Sequence, residues 1–322
     1  MSELSDRFRR EFAAGDMVRD AGLTTPEDII RYDDISYGHD VRLNLLDVYR
    51  PKAYGDAESG TADKLPVIAN VHGGAWVYGD KGVYQYYAMS LAQRGFAVVN
   101  FSYRLAPENK FPAHLEDICA VFKWMAENKD KYGFDLNNVF AVGDSAGAHL
   151  LGLFTDLYSD PEYARALKKK YPGADFSLPK LPPDPIRGTR DENIIRLRAV
   201  AFNCGKYDMD KDNETDPDTR KVMADFLEGA GTEEEYALID VTRHVTKDFP
   251  PAFIMTCPGD FLNYQAPFIV EALMKESVPF VLRYYGDASD PLHHVFHCNI
   301  RLESAKICND DECEFFLRYC EK

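Results

Sequence analysis

The amino-acid sequence predicts an α/β fold with helices on both faces of a mostly parallel, doubly wound sheet. Short apolar runs rich in β-branched and aromatic residues recur along the chain, as expected for strands buried on both faces. Between them lie segments whose apolar residues recur at spacings of three and four, which is typical of amphipathic helices. Because the two patterns alternate instead of forming separate blocks, they favour parallel strands connected by helices.

Each element is predicted from a local pattern. The predicted core strands are 66–72, 96–101, 138–143, 198–204, 252–257 and 279–285. Two earlier runs, near 35–37 and 43–49, are expected to form an antiparallel edge. The apolar residues that predict helices are Leu115, Ile118, Phe122 and Met125; Phe268, Ile269, Ala272 and Leu273; and Cys313, Phe316, Leu317 and Cys320.

The remaining segments divide the chain into a core and a cap. Residues 1–28 are an amphipathic, charged lead-in, and residues 208–246 are acidic and polar with one helical stretch. Both fall outside the core strands, so we expect residues 1–28 and 208–240 to form a small helical cap, with the core at 29–207 and 241–322. Residues 159–196 carry a lysine run followed by a group of prolines and are predicted to be irregular.

Composition and charge exclude several classes of protein. The 322 residues carry a formal net charge of -16, which argues against binding to nucleic acid and against docking on anionic lipid. No apolar run is long enough to span a bilayer, and the N-terminus lacks the apolar region of a secretory signal. The seven cysteines lack paired CxxC spacing, which predicts free thiols and no metal site. We expect a cytoplasmic monomer or homodimer without nucleic-acid or membrane partners.

The strongest local signal is Gly143-Asp144-Ser145-Ala146-Gly147. An apolar run leads into this motif and a helical pattern leads out, which is the strand–turn–helix setting of a nucleophile elbow. The sharp turn leaves no room for side chains at the two glycines and holds the serine hydroxyl clear of the backbone. The context predicts Ser145 as a nucleophile, with a chance glycine turn as the alternative.

A second glycine motif, His72-Gly73-Gly74-Ala75-Trp76, directly follows the predicted strand 66–72. Glycines at this place let backbone N–H groups point toward a developing oxyanion without obstruction by side chains. The N–H of Ala146, the residue after the predicted nucleophile, is expected to be a further donor. On its own, the motif would also fit a tight turn that leaves a strand.

An acid is expected after the nucleophile and before the histidine, just past a strand. Asp260 directly follows the run 252–257 in a Pro-Gly-Asp turn, and a loop aspartate there can accept a hydrogen bond from a histidine ring. A helix cap or turn aspartate is the ordinary alternative. Asp287 and Asp290 are rivals, but they lie too close to the histidines to occupy a separate strand end.

Three histidines, His293, His294 and His297, follow the last predicted strand and are candidates for a general base. A zinc site built from His294, His297 and Cys298 is the weaker interpretation, because a pair spaced by three residues lacks further ligands.

Together these motifs resemble those of the hormone-sensitive-lipase-like esterases. The resemblance covers 65–155 tightly and 250–300 more loosely, and it implies an α/β-hydrolase fold, a helical cap and cofactor-free hydrolysis of small carboxylic esters. The further motifs that carry it are Tyr103-Arg104-Leu105-Ala106-Pro107-Glu108, Phe111-Pro112-Ala113 and Leu115-Glu116-Asp117.

The resemblance also implies roles for individual residues. It assigns Gly73, Gly74 and Ala146 to the oxyanion hole, and Ser145, Asp260 and His294 to the catalytic triad. His294 is favoured because His-Val-Phe fits the family's pattern of histidine, aliphatic residue and phenylalanine. The sequence departs from the family at Ala75, where many members have a third glycine, and at Ala148-His149, where Gly-Asn is frequent. This variant is similar to bacterial acetyl-esterase-like members, which implies short acyl chains.

We therefore expect a serine hydrolase that acts on a small-molecule ester without metal or cofactor. A peptidase on the same fold would have the same triad, although the chain has no room for the large extra domain that such enzymes usually carry. A non-catalytic ligand receptor on an esterase scaffold is a third possibility, but all three triad positions are filled.

Overall fold

The computed structural model describes residues 2–60, 62–178, 195–210, 217–289 and 291–321. Its strands are β1 (Ile29–Ser36), β2 (Leu45–Pro51), β3 (Leu65–Val71), β4 (Ala97–Phe101), β5 (Phe134–Asp144), β6 (Leu197–Asn203), β7 (Ala252–Thr256) and β8 (Phe280–Tyr284). They form one eight-stranded sheet in the order β1-β2-β4-β3-β5-β6-β7-β8. The pairs β1–β2 and β2–β4 are antiparallel and the others are parallel. The predicted mostly parallel sheet with an antiparallel edge is confirmed.

Helices lie on both faces of this sheet. They are α1 (Glu3–Asp20), α2 (Gln85–Ala92), α3 (Ala113–Glu127), α4 (Lys129–Tyr132), α5 (Ala146–Ser159), α6 (Pro161–Lys170), α7 (Pro217–Phe226), α8 (Glu233–Leu238), α9 (Ala266–Lys275) and α10 (Glu303–Arg318). Successive residues of β3 point to opposite faces, so Val67 and Ala69 belong to one apolar core and Ile68 to another. The first core includes residues of α3, α5 and α9, and the second includes residues of α2 and α10.

Helix α6 lies inside the segment 159–196, which we expected to be irregular. Asp160 caps the helix by accepting a hydrogen bond from the backbone N–H of Glu162 at 2.8 Å, and Pro161 occupies its first turn. The lysine run lies in the last turn, where the helix dipole favours positive charge. Residues 179–194, which include the proline group, lie outside the described part of the chain.

Two predicted apolar patterns are less buried than expected. Leu317 of α10 is 51% exposed, so it does not belong to the stripe that buries Cys313 and Phe316. Strand β8 is the edge of the sheet and leaves Leu282 and Tyr284 exposed. An edge strand has one unpaired side and less cover from helices, which an apolar run alone does not reveal.

The two segments that we assigned to a cap contact each other. Near the N-terminus of α1, Ser5 and Arg7 hydrogen-bond to Asp225 and Asp218 of α7. Farther along α1, Arg9 donates to the carbonyl oxygen of Val77 at 2.7 Å, which joins the helix to the core. None of the helices in the described ranges combines the length and the apolar character that crossing a membrane would require.

Candidate active site

The carboxyl ends of four parallel strands meet at one edge of the sheet and carry the candidate residues. Ser145 directly follows β5, the motif starting at His72 follows β3, and Asp260 lies in the loop after β7. His294 lies in the longer connection between β8 and α10. Ligands of open α/β sheets bind at this edge, where loops from neighbouring strands converge.

The turn at Ser145 requires small residues on either side. Ser145 has φ 52° and ψ -120°, a left-handed conformation that non-glycine residues seldom adopt. A Cβ atom on Gly143 would lie 2.6 Å from the carbonyl oxygen of Gly147, and one on Gly147 would lie 2.5 Å from that of His72. Both glycines are therefore needed for the chain to turn from β5 into α5 with the serine side chain partly accessible.

A line of hydrogen bonds joins the serine, the histidine and the acid. The Oγ atom of Ser145 lies 2.9 Å from Nε2 of His294, and Nδ1 of His294 lies 2.6 Å from Oδ1 of Asp260. Thr256 Oγ1 donates to Oδ2 of Asp260 at 2.7 Å, and the N–H of Leu262 donates to Oδ1 at 2.9 Å. These contacts fix the carboxylate against the imidazole, with the hydroxyl on the other ring nitrogen.

The ionisation of Asp260 follows from two opposing effects. Burial alone raises the pKa of its carboxyl group. Hydrogen bonds from His294, Thr256 and Leu262, together with attraction to His294, outweigh burial and hold the pKa below its ordinary value. The carboxylate is therefore charged at neutral pH.

The other two histidines of the loop face elsewhere. His297 is fully buried, and its ring packs edge-on against Tyr87 with centroids 4.9 Å apart. Burial lowers the pKa of His297 to about 3, so the ring is neutral at working pH. The backbone carbonyl of His293 accepts a hydrogen bond from Cys257 Sγ at 3.3 Å. Among the described residues, His294, His297 and Cys298 do not form a group of potential metal ligands, as the zinc alternative requires.

Asp287, one of the two rival acids, is engaged within its own loop. The carboxylate of Asp287 accepts hydrogen bonds from the backbone and side chain of Ser289, at 2.7 and 2.5 Å, on the surface. Asp290 lies outside the described residues.

The glycine motif after β3 contributes backbone N–H groups, but not all of those that we expected. The N–H of Gly73 is buried and already donates to Asp144 Oδ1 at 3.1 Å and to the hydroxyl of Tyr84 at 3.0 Å. Gly74 and Ala75 are partly accessible, and both line the same cavity as Ser145. Within the described ranges, the N–H groups of Gly74, Ala75 and Ala146 have no hydrogen-bond acceptor.

The N–H of Gly73, which we expected to point into the oxyanion hole, is instead occupied by contacts within the protein. This N–H already has two acceptors, a carboxylate and a hydroxyl, whereas the N–H groups of the two residues that follow, Gly74 and Ala75, have none among the described residues. The left-handed backbone of Ala75, with φ 52°, turns the chain at this point. The motif predicts the loop, but the choice between adjacent N–H groups depends on the backbone conformation of Gly74 and Ala75.

Asp144 connects the serine turn to the glycine loop, which the sequence analysis did not anticipate. Its Oδ2 accepts a hydrogen bond from Tyr84 at 2.7 Å while Oδ1 accepts from Gly73. Burial raises the pKa of Asp144 to about 6, although the hydrogen bonds and the nearby His294 lower it. The sequence did contain a signal for this contact, namely an acidic residue, Asp144, at the variable position before the serine of the motif.

Trp76, the last residue of the glycine loop, is fixed by a histidine. Its indole Nε1–H donates to Nδ1 of His149 at 3.1 Å, and Nε2 of His149 lies 2.8 Å from the carbonyl oxygen of Ile239. Burial lowers the pKa of His149 to about 3, so the ring stays neutral and accepts from the indole. His149 is one of the residues at which the sequence departs from the residues usual in the family that it resembles.

A cavity of about 300 Å³ lies in front of Ser145 and His294. Helix α1 contributes Phe8 and Phe12, whose rings stack with centroids 5.1 Å apart, and α7 contributes Val222. On another part of the wall, Asp16 accepts a hydrogen bond from the hydroxyl of Tyr78 at 2.7 Å. The cavity is therefore largely apolar with a few fixed polar groups, as is usual for small-molecule sites.

One group of side chains in the described residues has the composition of a metal site. Cys204 Sγ, an Asp260 carboxylate oxygen and a His294 ring nitrogen lie within 4.8 Å of one another. All seven cysteines lie in the described residues and are free thiols.

Comparison with known proteins gives a consistent result. The sequence model of the BD-FAE family matches residues 46–263. Esterase LipC of Mycobacterium tuberculosis (strain ATCC 25618 / H37Rv) is 31% identical over 229 residues, which cover 69% of this chain and 49% of that protein. The versiconal hemiacetal acetate esterase of Dothistroma septosporum (strain NZE10 / CBS 128990) is 28% identical over 227 residues, covering 68% of this chain and 63% of that protein. The chain thus spans about half the length of the first relative and less than two thirds of the second.

A solved structure resembles the whole chain. Esterase B from Lactobacillus rhamnosis (HN001) superposes with a TM-score of 0.82 at 23% sequence identity, covering 98% of this chain and 93% of that one. At this identity the likeness concerns the fold, which is that of an α/β-hydrolase.

Proposed function

The chain belongs to the BD-FAE family, and from that premise we propose that it is a carboxylesterase, a serine hydrolase that cleaves small carboxylic esters. The observation that carries the proposal is the line of hydrogen bonds from Asp260 through His294 to Ser145, at 2.6 and 2.9 Å. The relatives that match most of the chain are named as esterases, which supports the same reaction class.

In the first half of the reaction, Ser145 Oγ attacks the ester carbonyl carbon while Nε2 of His294 takes the hydroxyl proton. The charged Asp260 carboxylate holds Nδ1–H and stabilises the imidazolium that forms. The tetrahedral intermediate then collapses, and His294 returns the proton to the leaving alcohol. The product at this stage is an acyl group on Ser145.

In the second half, a water molecule attacks the acyl carbon and gives its proton to His294. The second tetrahedral intermediate releases the carboxylic acid, and the proton returns to Ser145 Oγ. Each half is balanced by one proton that moves through His294, so neither a metal ion nor a cofactor is required.

The oxyanion of both intermediates needs preorganised donors. We assign this role to the backbone N–H groups of Gly74, Ala75 and Ala146, which have no acceptor within the described ranges and face the cavity or begin α5. Gly73 contributes indirectly. Its N–H donates to Asp144, and this hydrogen bond holds the loop that carries the proposed donors.

The segments 1–28 and 208–240 act as a cap that sets the size of the substrate. At about 300 Å³, the cavity is at the small end of the range of small-molecule pockets, which is roughly 300–1,000 Å³. Phe8, Phe12 and Val222 close it from the cap side. We therefore propose that acetyl to butyryl esters are preferred over longer ones.

The proposed nucleophile is tested with Ser145→Ala. Turnover of p-nitrophenyl acetate should fall by roughly 10⁴- to 10⁶-fold because no acyl-enzyme can form. Wild-type protein should give a burst of p-nitrophenol and a mass shift on Ser145 with an organophosphate, and the variant should give neither. A receptor on an esterase scaffold would show no burst, and labelling of another serine would refute the assignment.

Acyl-chain preference is tested by comparing kcat/KM for acetate, butyrate, octanoate and palmitate esters. We expect a maximum at acetate or butyrate. Phe12→Ala should raise the octanoate-to-butyrate ratio at least about tenfold, because differences of a methylene or more in an apolar pocket contribute strongly to discrimination. The surface variant Glu314→Gln is the control. A maximum at palmitate in the wild type would contradict the proposal, and so would an unchanged ratio in Phe12→Ala.

A further inference from the structure

A buried thiol lies beside the proposed acid and base, and the reaction does not use it. Cys204 Sγ, an oxygen of Asp260 and a ring nitrogen of His294 all lie within 4.8 Å of one another. The order of the strands in the sheet explains why these side chains lie close together. Cys204 directly follows β6 and Asp260 follows β7, its neighbour in the sheet, and Cys204 N–H donates to the Met255 carbonyl of β7 at 2.8 Å.

We propose that Cys204, Asp260 and His294 form a binding site for Zn²⁺ or another thiophilic divalent cation, and that its occupancy inhibits the enzyme. Thiolate, carboxylate and imidazole are the side chains that Zn²⁺ selects in proteins. At normal bond lengths, two ligands of a tetrahedral zinc ion are roughly 3.3–3.7 Å apart. Nδ1 of His294 and Oδ1 of Asp260 are 2.6 Å apart and would need to separate, and Cys204 Sγ would need to come within this range of both. These adjustments are of about 1 Å, which rotation about the χ angles can supply.

Charge balance favours a divalent ion in this buried position. The thiolate of Cys204 and the carboxylate of Asp260 together neutralise two positive charges, and a neutral imidazole adds none. The site therefore carries no net charge, which avoids the large penalty for an uncompensated buried ion. Binding releases one proton, that of the Cys204 thiol, to the buffer.

Inhibition follows from the proton on His294, whichever ring nitrogen binds the metal. If Nδ1 binds, the remaining proton of the neutral ring lies on Nε2, which can then no longer accept from Ser145. If Nε2 binds, the metal occupies the position of the incoming proton. Ser145 keeps its proton in both cases and cannot attack.

The route to the site predicts slow onset. Cys204 and Asp260 are buried, whereas the side chain of His294 is 20% exposed and lines the cavity. A cation must enter past His294 and break its hydrogen bond to Asp260. Inhibition should therefore develop over time and reverse when a chelator removes the ion.

The chain offers a matched control in Cys257. This cysteine follows β7, is equally buried, and donates from its Sγ to the carbonyl of His293 at 3.3 Å. It lies near Cys204 but is outside the ligand group. Cys204→Ser and Cys257→Ser thus remove one thiol each from the same region with minimal change in volume, and Cys204→Ala serves as a second variant.

Direct binding of the metal ion is measured first, because the inhibition experiment rests on the proposed esterase function. Cd²⁺ is titrated into the full chain while the ultraviolet charge-transfer absorption of a cadmium–thiolate bond is recorded. Wild type, Cys257→Ser and the inactive Ser145→Ala should show the band, and Cys204→Ser should lose one Cd²⁺ equivalent of it. An unchanged titration in Cys204→Ser would overturn the site even if the protein hydrolysed no ester.

Inhibition is then measured with ZnCl₂ and p-nitrophenyl acetate in thiol-free buffer. Cys204→Ser should retain turnover and need at least about 10- to 100-fold more Zn²⁺ for half-inhibition, since loss of even an outer partner weakens metal sites by that factor. Cys257→Ser should match the wild type. Equal sensitivity of Cys204→Ser and wild type would overturn the proposal, and loss of sensitivity in Cys257→Ser would assign the ion to a different ligand set.

Discussion

The residue before the proposed nucleophile determines how two catalytic loops fit together. Asp144 accepts hydrogen bonds from Gly73 of one loop and from Tyr84, while the backbone that follows it turns into Ser145. One carboxylate therefore fixes the serine turn relative to the glycine loop. Burial raises the pKa of Asp144 to about 6, whereas the hydrogen bonds from Tyr84 and Gly73 and the nearby His294 act in the opposite direction and favour the charged form.

The choice of base among three neighbouring histidines is also decided by single residues. Val295 has φ 53°, so the chain turns immediately after His294 and separates it from His297. Only His294 bonds to both Ser145 and Asp260 within the described ranges. The loop thus presents one imidazole to the cavity and buries another beside Tyr87.

We expect His294→Ala to reduce kcat nearly as much as Ser145→Ala, since triad residues act as a unit. His293→Ala should retain most activity. His297→Ala should also retain most activity per folded molecule but unfold more easily, because it leaves a cavity beside Tyr87. Steady-state kinetics and thermal unfolding of the three variants provide the comparison. An active His294→Ala protein together with an inactive His293→Ala protein would shift the assignment by one residue.

At the scale of elements, the glycine loop needs external support. Ala75 and Trp76 both have left-handed backbones, with φ 52° and 62°, which non-glycine residues adopt only when their surroundings impose it. The hydrogen bond from Trp76 to His149 attaches the end of the loop to α5, and the Trp76 ring stacks on Phe226 of α7 with centroids 5.0 Å apart. The loop that carries the proposed oxyanion donors is therefore held by both α5 and α7.

A double-mutant cycle on Trp76 and His149 tests this support. Trp76→Phe and His149→Leu should each lower kcat about tenfold with little change in KM, a fraction of the loss expected when an oxyanion donor is removed outright. The double variant should be no slower than the singles, with a coupling of roughly 0.5–3 kcal/mol. It should also be more stable than His149→Leu, because no buried indole N–H is left without a partner. Additive losses in kcat would show that the pair does not act through the loop.

The sequence was sufficient for the core elements and for the loops of the site, but not for details that depend on neighbouring structure. Runs of apolar residues and glycine motifs are local, so the strands, the turn at Ser145 between β5 and α5, and the glycine loop could be predicted. Our proposal that Ala75 and not Gly73 is an oxyanion donor depends on the hydrogen bond from the Gly73 N–H to Asp144. Helix α6 depends on its cap at Asp160, which a composition dominated by lysine and proline obscured.

At the scale of the whole molecule, the buried acids set the response to pH. The chain has a net charge of -16, yet Glu312 of α10 is fully buried between α2 and β6. Its Oε1 accepts from the hydroxyl of Tyr87 at 3.0 Å and its Oε2 from Nδ2 of Asn203 at 2.7 Å. Burial raises the pKa of Glu312 to about 7, although these hydrogen bonds lower it. The folded protein thus holds a proton here that the unfolded chain releases near its ordinary pKa of 4.5.

Glu312→Gln should therefore change the pH dependence of stability in a defined direction. Between about pH 4.5 and 7 the folded state binds more protons than the unfolded state at this group, so the stability it contributes is complete below pH 4.5 and is lost as pH rises through 7. A folded pKa of about 7 against 4.5 corresponds to about 3 kcal/mol across that window. In Glu312→Gln this contribution to the slope should disappear, because glutamine does not titrate. The buried amide can still be satisfied, because Asn203 Oδ1, which has no partner among the described residues, can accept from it after a flip. Urea unfolding from pH 4.5 to 8 measures the difference, with Glu314→Gln on the exposed face of the same helix as control. If wild type and Glu312→Gln show the same slope, Glu312 is not the group that titrates.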